Sequence, residues 1–180
     1  MITFATRPIG FKFTWPDPLL IVAMIATVMP VWFVAIPPAT DLPQHLGQIF
    51  LLEETLAGAR PELVVTPWFY PNTLIYALLY AFWQLTDPLA AGRITLSVLA
   101  GSWVLATYVL CASRQRPVAN WLIGVPLVFN FLFYWGLLNF IVGWPIFCLF
   151  ITVAGSKGAR FKPIQLTVIA LLLYYASFAF

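Results

Sequence analysis

The feature that most constrains this chain is a series of apolar runs, separated by short breaks that carry nearly all of its charge. Residues 94–112 contain no charged side chain. As a helix rising ~1.5 Å per residue, such a run matches the ~30 Å hydrocarbon core of a bilayer. Charged residues make up only 8% of the 180, against roughly a quarter in a soluble domain. The expected fold is therefore all-α, a polytopic transmembrane helix bundle and a single membrane domain over residues 1–180. The basic residues form short clusters rather than a face, which excludes nucleic-acid binding. Cys111 and Cys148 both lie inside apolar runs and read as small buried hydrophobes.

In chain order, residues 1–18 carry Arg7 and Lys12 and end in Trp15-Pro16-Asp17-Pro18. They read as a cytoplasmic tail with a stop at the interface. Residues 19–36 form the first span, an uncleaved signal anchor, with a kink expected at Pro30. Residues 40–71 form an outer loop that contains an amphipathic juxtamembrane helix. Asp41 caps that helix, with Gln44 as its capping-box partner. Leu46, Ile49, Phe50 and Leu56 mark its apolar face, and Gly58 ends it. Arg60-Pro61-Glu62 is a turn, and Trp68-Phe69-Tyr70-Pro71 resembles an aromatic belt. Residues 72–86 are apolar but short, and Asp87-Pro88 stops them. Residues 94–112, 120–135, 140–154 and 164–180 are further spanning runs, with Pro126 and Pro145 inside two of them and a tight break at 136–139.

Orientation bears on residues 72–86. If that run does not cross, Arg7, Lys12, Arg114, Arg116, Lys157, Arg160 and Lys162 share one side. These are seven of the nine basic residues, which the positive-inside rule places in the cytoplasm. If it crosses, the later clusters move outside. The non-crossing or half-crossing arrangement is therefore expected. The Asp41 loop and the break at 136–139 then face the same outer compartment.

The polar groups available for chemistry concentrate in residues 37–58, which hold the lone histidine, His45, and three of six acidic residues, Asp41, Glu53 and Glu54. Asp41 and His45, four apart, share one helix face. They supply two candidate metal ligands where zinc needs three or four, so no metal is assigned. The same pair suits acid–base work, with a carboxylate partly desolvated at the membrane surface. The plainer alternative is a helix cap beside an interfacial polar residue. Glu53 and Glu54 read as solvating the outer face of the helix. Arg93 and Asp87 flank the start of a span, as a local ion pair or with Arg93 facing phosphate. Asn139 sits in the break between two runs. No glycine-rich phosphate loop, Gly-x-Ser-x-Gly or Cys-x-x-Cys is present, and no cofactor is expected.

From Asp41 onward, this order of features resembles the amino-terminal part of polytopic membrane glycosyltransferases of the GT-C superfamily. In that superfamily a cytoplasmic amino terminus and one span lead to an outer loop. The loop opens with a catalytic aspartate and continues as helices along the membrane. Asp41 matches the aspartate by position, and residues 44–58 match the first juxtamembrane helix. The Asp-Leu-Pro-Gln-His-Leu run is also similar to uncharacterised bacterial membrane proteins of this kind, and Trp-Gly-Leu-Leu-Asn-Phe adds to the likeness. Metal-dependent members carry a second acidic motif at a later outer turn, where this chain has Asn139. Family members are longer, so the resemblance implies an incomplete fragment of such an enzyme. It further implies residence in a bacterial inner membrane and sugar transfer from a polyprenyl-phosphate donor at the outer face. Asp41 is then the general base and His45 its orienting or phosphate-contacting neighbour, with Arg93, Asn139 and Arg60 as donor contacts. The lipid bilayer is the first partner, and further membrane helices or subunits are others. The alternative is a non-catalytic integral membrane subunit or transporter-like component.

Overall fold

A computed structural model describes residues 18–65, 70–156 and 162–177. Among them the regular structure is entirely helical: α1 Pro18–Phe33, α2 Leu42–Leu56, α3 Thr73–Trp83, α4 Pro88–Ser113, α5 Val118–Leu122, α6 Phe131–Trp135, α7 Leu138–Gly155 and α8 Lys162–Ser177. A single 3₁₀ turn, Pro126–Val128, lies between α5 and α6. Two of the helices, α4 and α7, are long and apolar enough to cross a membrane. The expectations for Arg7, Lys12, Trp68, Lys157 and Arg160 concern positions outside the described residues.

The residues that terminate the helices also join them. Asp87 caps α4, its carboxylate accepting from the Ala90 N–H at 3.0 Å. Proline follows at the first helical position, where no N–H is needed. One turn later Arg93 reaches across to α1. Its Nη2 donates to the carbonyls of Val34 and Ala35 at 2.9 and 2.7 Å, just past the end of α1. Carbonyls at that end have no partner within the helix, and the cation also suits the negative end of the helix dipole. Trp32 Nε1 donates to Ser97 Oγ at 2.9 Å, and Met24 and Val28 face Gly101. Residue numbers on α1 fall as those on α4 rise, so the two helices are antiparallel.

The pairing of α4 with α7 runs the other way. Trp103 stacks on Trp144 at 5.1 Å, Trp144 Nε1 donates to Thr107 Oγ1 at 3.3 Å, and Arg114 Nη2 donates to the Ile151 carbonyl at 3.0 Å. Numbers rise together, so α4 and α7 are parallel, and the chain between them must return the full length of the bundle. It does so without a continuous helix. Trp121 meets Tyr108 edge-to-face, the Gly124 carbonyl accepts from Trp103 Nε1 at 3.2 Å, and Tyr134 and Trp135 arrive beside Thr40 and Asp41.

Residues 120–135, expected as a spanning run with Pro126 inside, are therefore not one continuous helix. Pro126 has no N–H to extend α5, and Asn130 starts α6 anew, its Oδ1 accepting from the Phe133 N–H at 3.2 Å. Pro30 and Pro145, by contrast, lie within helices that continue through them.

Helix α3 runs alongside α2 in the same direction, since His45 meets Tyr76 and Glu53 accepts from Trp83 Nε1. Both pack near the start of α4, where Leu42 and Leu46 close on Gly92. This end of the bundle holds Asp41, Glu53, Glu54, Glu62 and Asp87. Arg114 and Arg116 lie at the other end, where Lys162 Nζ donates to the Ser156 carbonyl at 2.9 Å. The core between the ends is mainly aliphatic, with Leu96, Leu99 and Val104 of α4 in one buried cluster with Leu20 and Val31 of α1 and Leu138 and Ile141 of α7, joined by Trp103, Trp121 and Phe133.

Candidate functional site

The site forms where the start of α2 meets the end of α6. Helix α6 stops at Gly136, whose φ of +78° is a left-handed conformation that suits glycine. A second constraint acts at the same atom, because a Cβ on Gly136 would lie 2.6 Å from the Asp41 nitrogen. The close approach lets the residues just before α2 supply donors to the terminal carbonyls of α6. Thr40 N–H donates to Tyr134 O at 2.9 Å and Asp41 N–H to Trp135 O at 3.1 Å. Thr40 Oγ1 adds a second bond to Tyr134 O at 3.1 Å.

His45 completes the row, its Nε2 lying 3.2 Å from the Gly136 carbonyl oxygen. A carbonyl only accepts, so Nε2 carries the proton and donates. In the neutral ring Nδ1 is then an acceptor, and the Tyr76 hydroxyl donates to it at 2.9 Å. The tautomer thus follows from the partners. Burial pushes the His45 pKa below its usual 6.5, against the opposing pull of the Gly136 carbonyl and the Asp41 charge. The neutral ring pins α2, α3 and the 136 turn together, and both of its nitrogens are committed.

Asp41 occupies the N-cap position of α2, yet its side chain makes no capping hydrogen bond, so the expected capping box with Gln44 does not form. The backbone at Asp41 is helical, with φ −87° and ψ −2°, rather than the extended conformation that turns an N-cap oxygen toward the N2 and N3 amides. The half-buried carboxylate has no ion pair or hydrogen bond among the described residues. It is an uncommitted anion beside a fully committed imidazole.

The other expected contacts lie apart from this centre. Arg93 follows Gly92, against which Leu42 and Leu46 pack, but its Nη2 holds the end of α1, and its Nε is shielded from solvent without a partner. Asn139 stands in the first turn of α7, three residues beyond the Gly136 carbonyl, with a shielded and unpartnered Oδ1. Arg60 lies past the far end of α2, exposed, and pairs with Glu54 at 2.8 Å and Glu62 at 3.7 Å.

Glu53 does not solvate an outer face; its carboxylate accepts from Trp83 Nε1 and Gln84 Nε2 and ties α2 to α3. No cluster of three or more His, Cys, Asp or Glu forms among the described residues. Tyr76 and Gly136 are site residues that sequence reading missed. Tyr76 lies 31 positions from its partner inside an apolar run, with no local signal of the pairing. Gly136 was legible only as a turn.

Beside the site a groove of about 460 Å³ opens between α2 and α3, and Tyr76 forms part of its wall. No family model matches the chain, and it matches no curated protein and no solved structure.

Proposed function

We propose that the chain is a polytopic membrane protein with a GT-C-like activity, transferring a sugar from a polyprenyl-phosphate donor at the outer face of a bacterial inner membrane. In this reading α1, α4, the broken segment 118–135, α7 and α8 cross the bilayer. Helices α2 and α3 stay at the outer surface, and the end bearing Arg114, Arg116 and Lys162 is cytoplasmic, as the amino terminus is. Support comes from the charge asymmetry between the two ends and from apolar side chains such as Val22, Ile25, Phe147 and Leu171 exposed around the bundle, which lipid would cover.

The observation that carries the catalytic part is the uncommitted Asp41 carboxylate. It takes the proton of an acceptor hydroxyl, whose oxygen attacks the sugar's anomeric carbon. The bond from that carbon to the donor's phosphate oxygen breaks, and polyprenyl phosphate leaves with the electron pair, inverting the centre. His45 is a positioning residue, holding the backbone on which Asp41 is mounted. Arg93 and Asn139 are the proposed contacts for donor phosphate and sugar, the α1 clamp using only Nη2 of Arg93; Arg60, paired with Glu54 and Glu62 past the far end of α2, is too distant to join them.

A non-catalytic membrane subunit is the second reading, favoured by the fact that His45 and Arg93 both hold helix ends. Asp41→Asn separates the two. Because the side chain caps nothing, yield and thermal stability should hold. Release of polyprenyl phosphate from a polyprenyl-phosphate sugar in proteoliposomes should fall roughly 10²–10⁴-fold, the usual worth of a positioned base. Undiminished release by the variant would remove the enzyme reading.

A further inference from the structure

Cys111 of α4 and Cys148 of α7 take no part in the site at Asp41. Two hydrogen bonds set the register between their helices. Trp144 Nε1 donates to Thr107 Oγ1 and Arg114 Nη2 to the Ile151 carbonyl, and in each bond the partners are 37 positions apart. Cys111 and Cys148 are separated by the same interval. Residues 107, 111 and 114 share one face of α4, and residues 144, 148 and 151 share one face of the parallel α7. The two cysteines therefore face each other between the two bonds, as free thiols within electrostatic range of one another.

Their surroundings differ. Cys148 is completely buried. Cys111 is partly exposed in the last turn of α4, and its carbonyl accepts from the Arg116 N–H at 3.0 Å. Arg114 and Arg116 are exposed just beyond it, so a reagent arriving from water meets Cys111 first. Whatever joins the thiols must also suit an apolar interface. Zinc needs three or four ligands, and no cluster of three His, Cys, Asp or Glu forms among the described residues. A soft monovalent ion between two thiolates would leave a net charge there, which is costly to bury. A disulfide is uncharged.

We infer that Cys111 and Cys148 are a reversible disulfide site across α4 and α7, closed by exchange with a small aliphatic disulfide that reacts first at Cys111. The Cys111 thiolate attacks one sulfur of the reagent, forming a mixed disulfide and releasing one thiolate. Cys148, deprotonated in turn, attacks the Cys111 sulfur, which forms the bond between the helices and releases the second thiolate. Two protein thiols are oxidised, the reagent is reduced to two thiols, and the protons lost by the protein pass to them. The exposed guanidinium groups favour a reagent that carries carboxylates. The inference does not depend on the reaction proposed for Asp41.

The test exposes the full chain in mild detergent to glutathione disulfide, then denatures it, alkylates it and digests it after Arg114 and Arg116, which separates the two cysteines. The chain should remain a monomer, carry no glutathione, and yield the peptides containing Cys111 and Cys148 as one linked species that dithiothreitol separates. Cys148→Ser should instead retain glutathione on Cys111. Cys111→Ser should take it up at least about tenfold more slowly, because a fully buried thiol reacts only through local opening. The unsubstituted chain carries the main readout, so poor folding of a serine variant does not obscure it. A lasting glutathione adduct on that chain, a link between two copies, or two unmodified thiols after prolonged exposure would overturn the assignment. Uptake by Cys111→Ser as fast as by Cys148→Ser would do the same.

Discussion

At the scale of single residues, His45 shows how burial and partner chemistry set a protonation state. The Gly136 carbonyl requires a proton on Nε2, and the Tyr76 hydroxyl then meets a lone pair on Nδ1. Desolvation holds the pKa below 6.5, so between 6.5 and the lowered native value the unfolded chain binds more protons than the folded one. Stability at this junction is therefore complete above 6.5 and declines as the pH falls toward the native pKa. Thermal unfolding of the purified chain should show a midpoint that drops as the pH falls below about 6.5, and His45→Gln should flatten that part of the curve. An unchanged slope in the variant would show that His45 is not the responsible group. Asp41 and His45 were legible as a pair from their spacing of four. The role of each was not, because one backbone conformation decided that the aspartate would leave its cap unmade.

Between elements, the recurrent device is a side chain from one helix meeting polar groups at the end of another. Arg93 does this for α1, Thr40 and His45 for α6, and Glu53 for the end of α3. In an apolar bundle with few polar groups, such contacts fix which helices pair and in what register. Glu53 joins two elements that each have only a short apolar face. A double-mutant cycle between Glu53→Ala and Trp83→Phe should return a coupling of about 0.5–3 kcal/mol; strict additivity would mean the bond is incidental. The amphipathic pattern of 44–58 foretold a helix where α2, Leu42–Leu56, lies. Nothing in it foretold that Glu53 would face α3 rather than water, since the Trp83 and Gln84 donors lie 30 and 31 residues away.

Over the whole molecule, the parallel course of α4 and α7 obliges residues 118–135 to traverse the bundle, although no helix continues through them. Reporter fusions after Glu62 and after Asn139 should both signal the outer compartment, and fusions after Arg116 and Lys162 the cytoplasm. A cytoplasmic signal at Asn139 beside an outer one at Glu62 would contradict the placement of α3 beside α2 and of the 136 turn against His45.

The sequence by itself determined that the regular structure is helical and where most helices lie, because run length, hydropathy and the Asp-Pro and glycine stops act locally. It also concentrated the polar chemistry at Asp41 and His45. Only the tertiary structure decided that α3 lies along α2, and that Arg93 closes α1 while Tyr76 and Gly136 enclose His45. Those outcomes depend on which carbonyls are left unpaired at helix ends and which distant donors reach them. Hydropathy, a property of each residue in its own run, carries no record of such pairings.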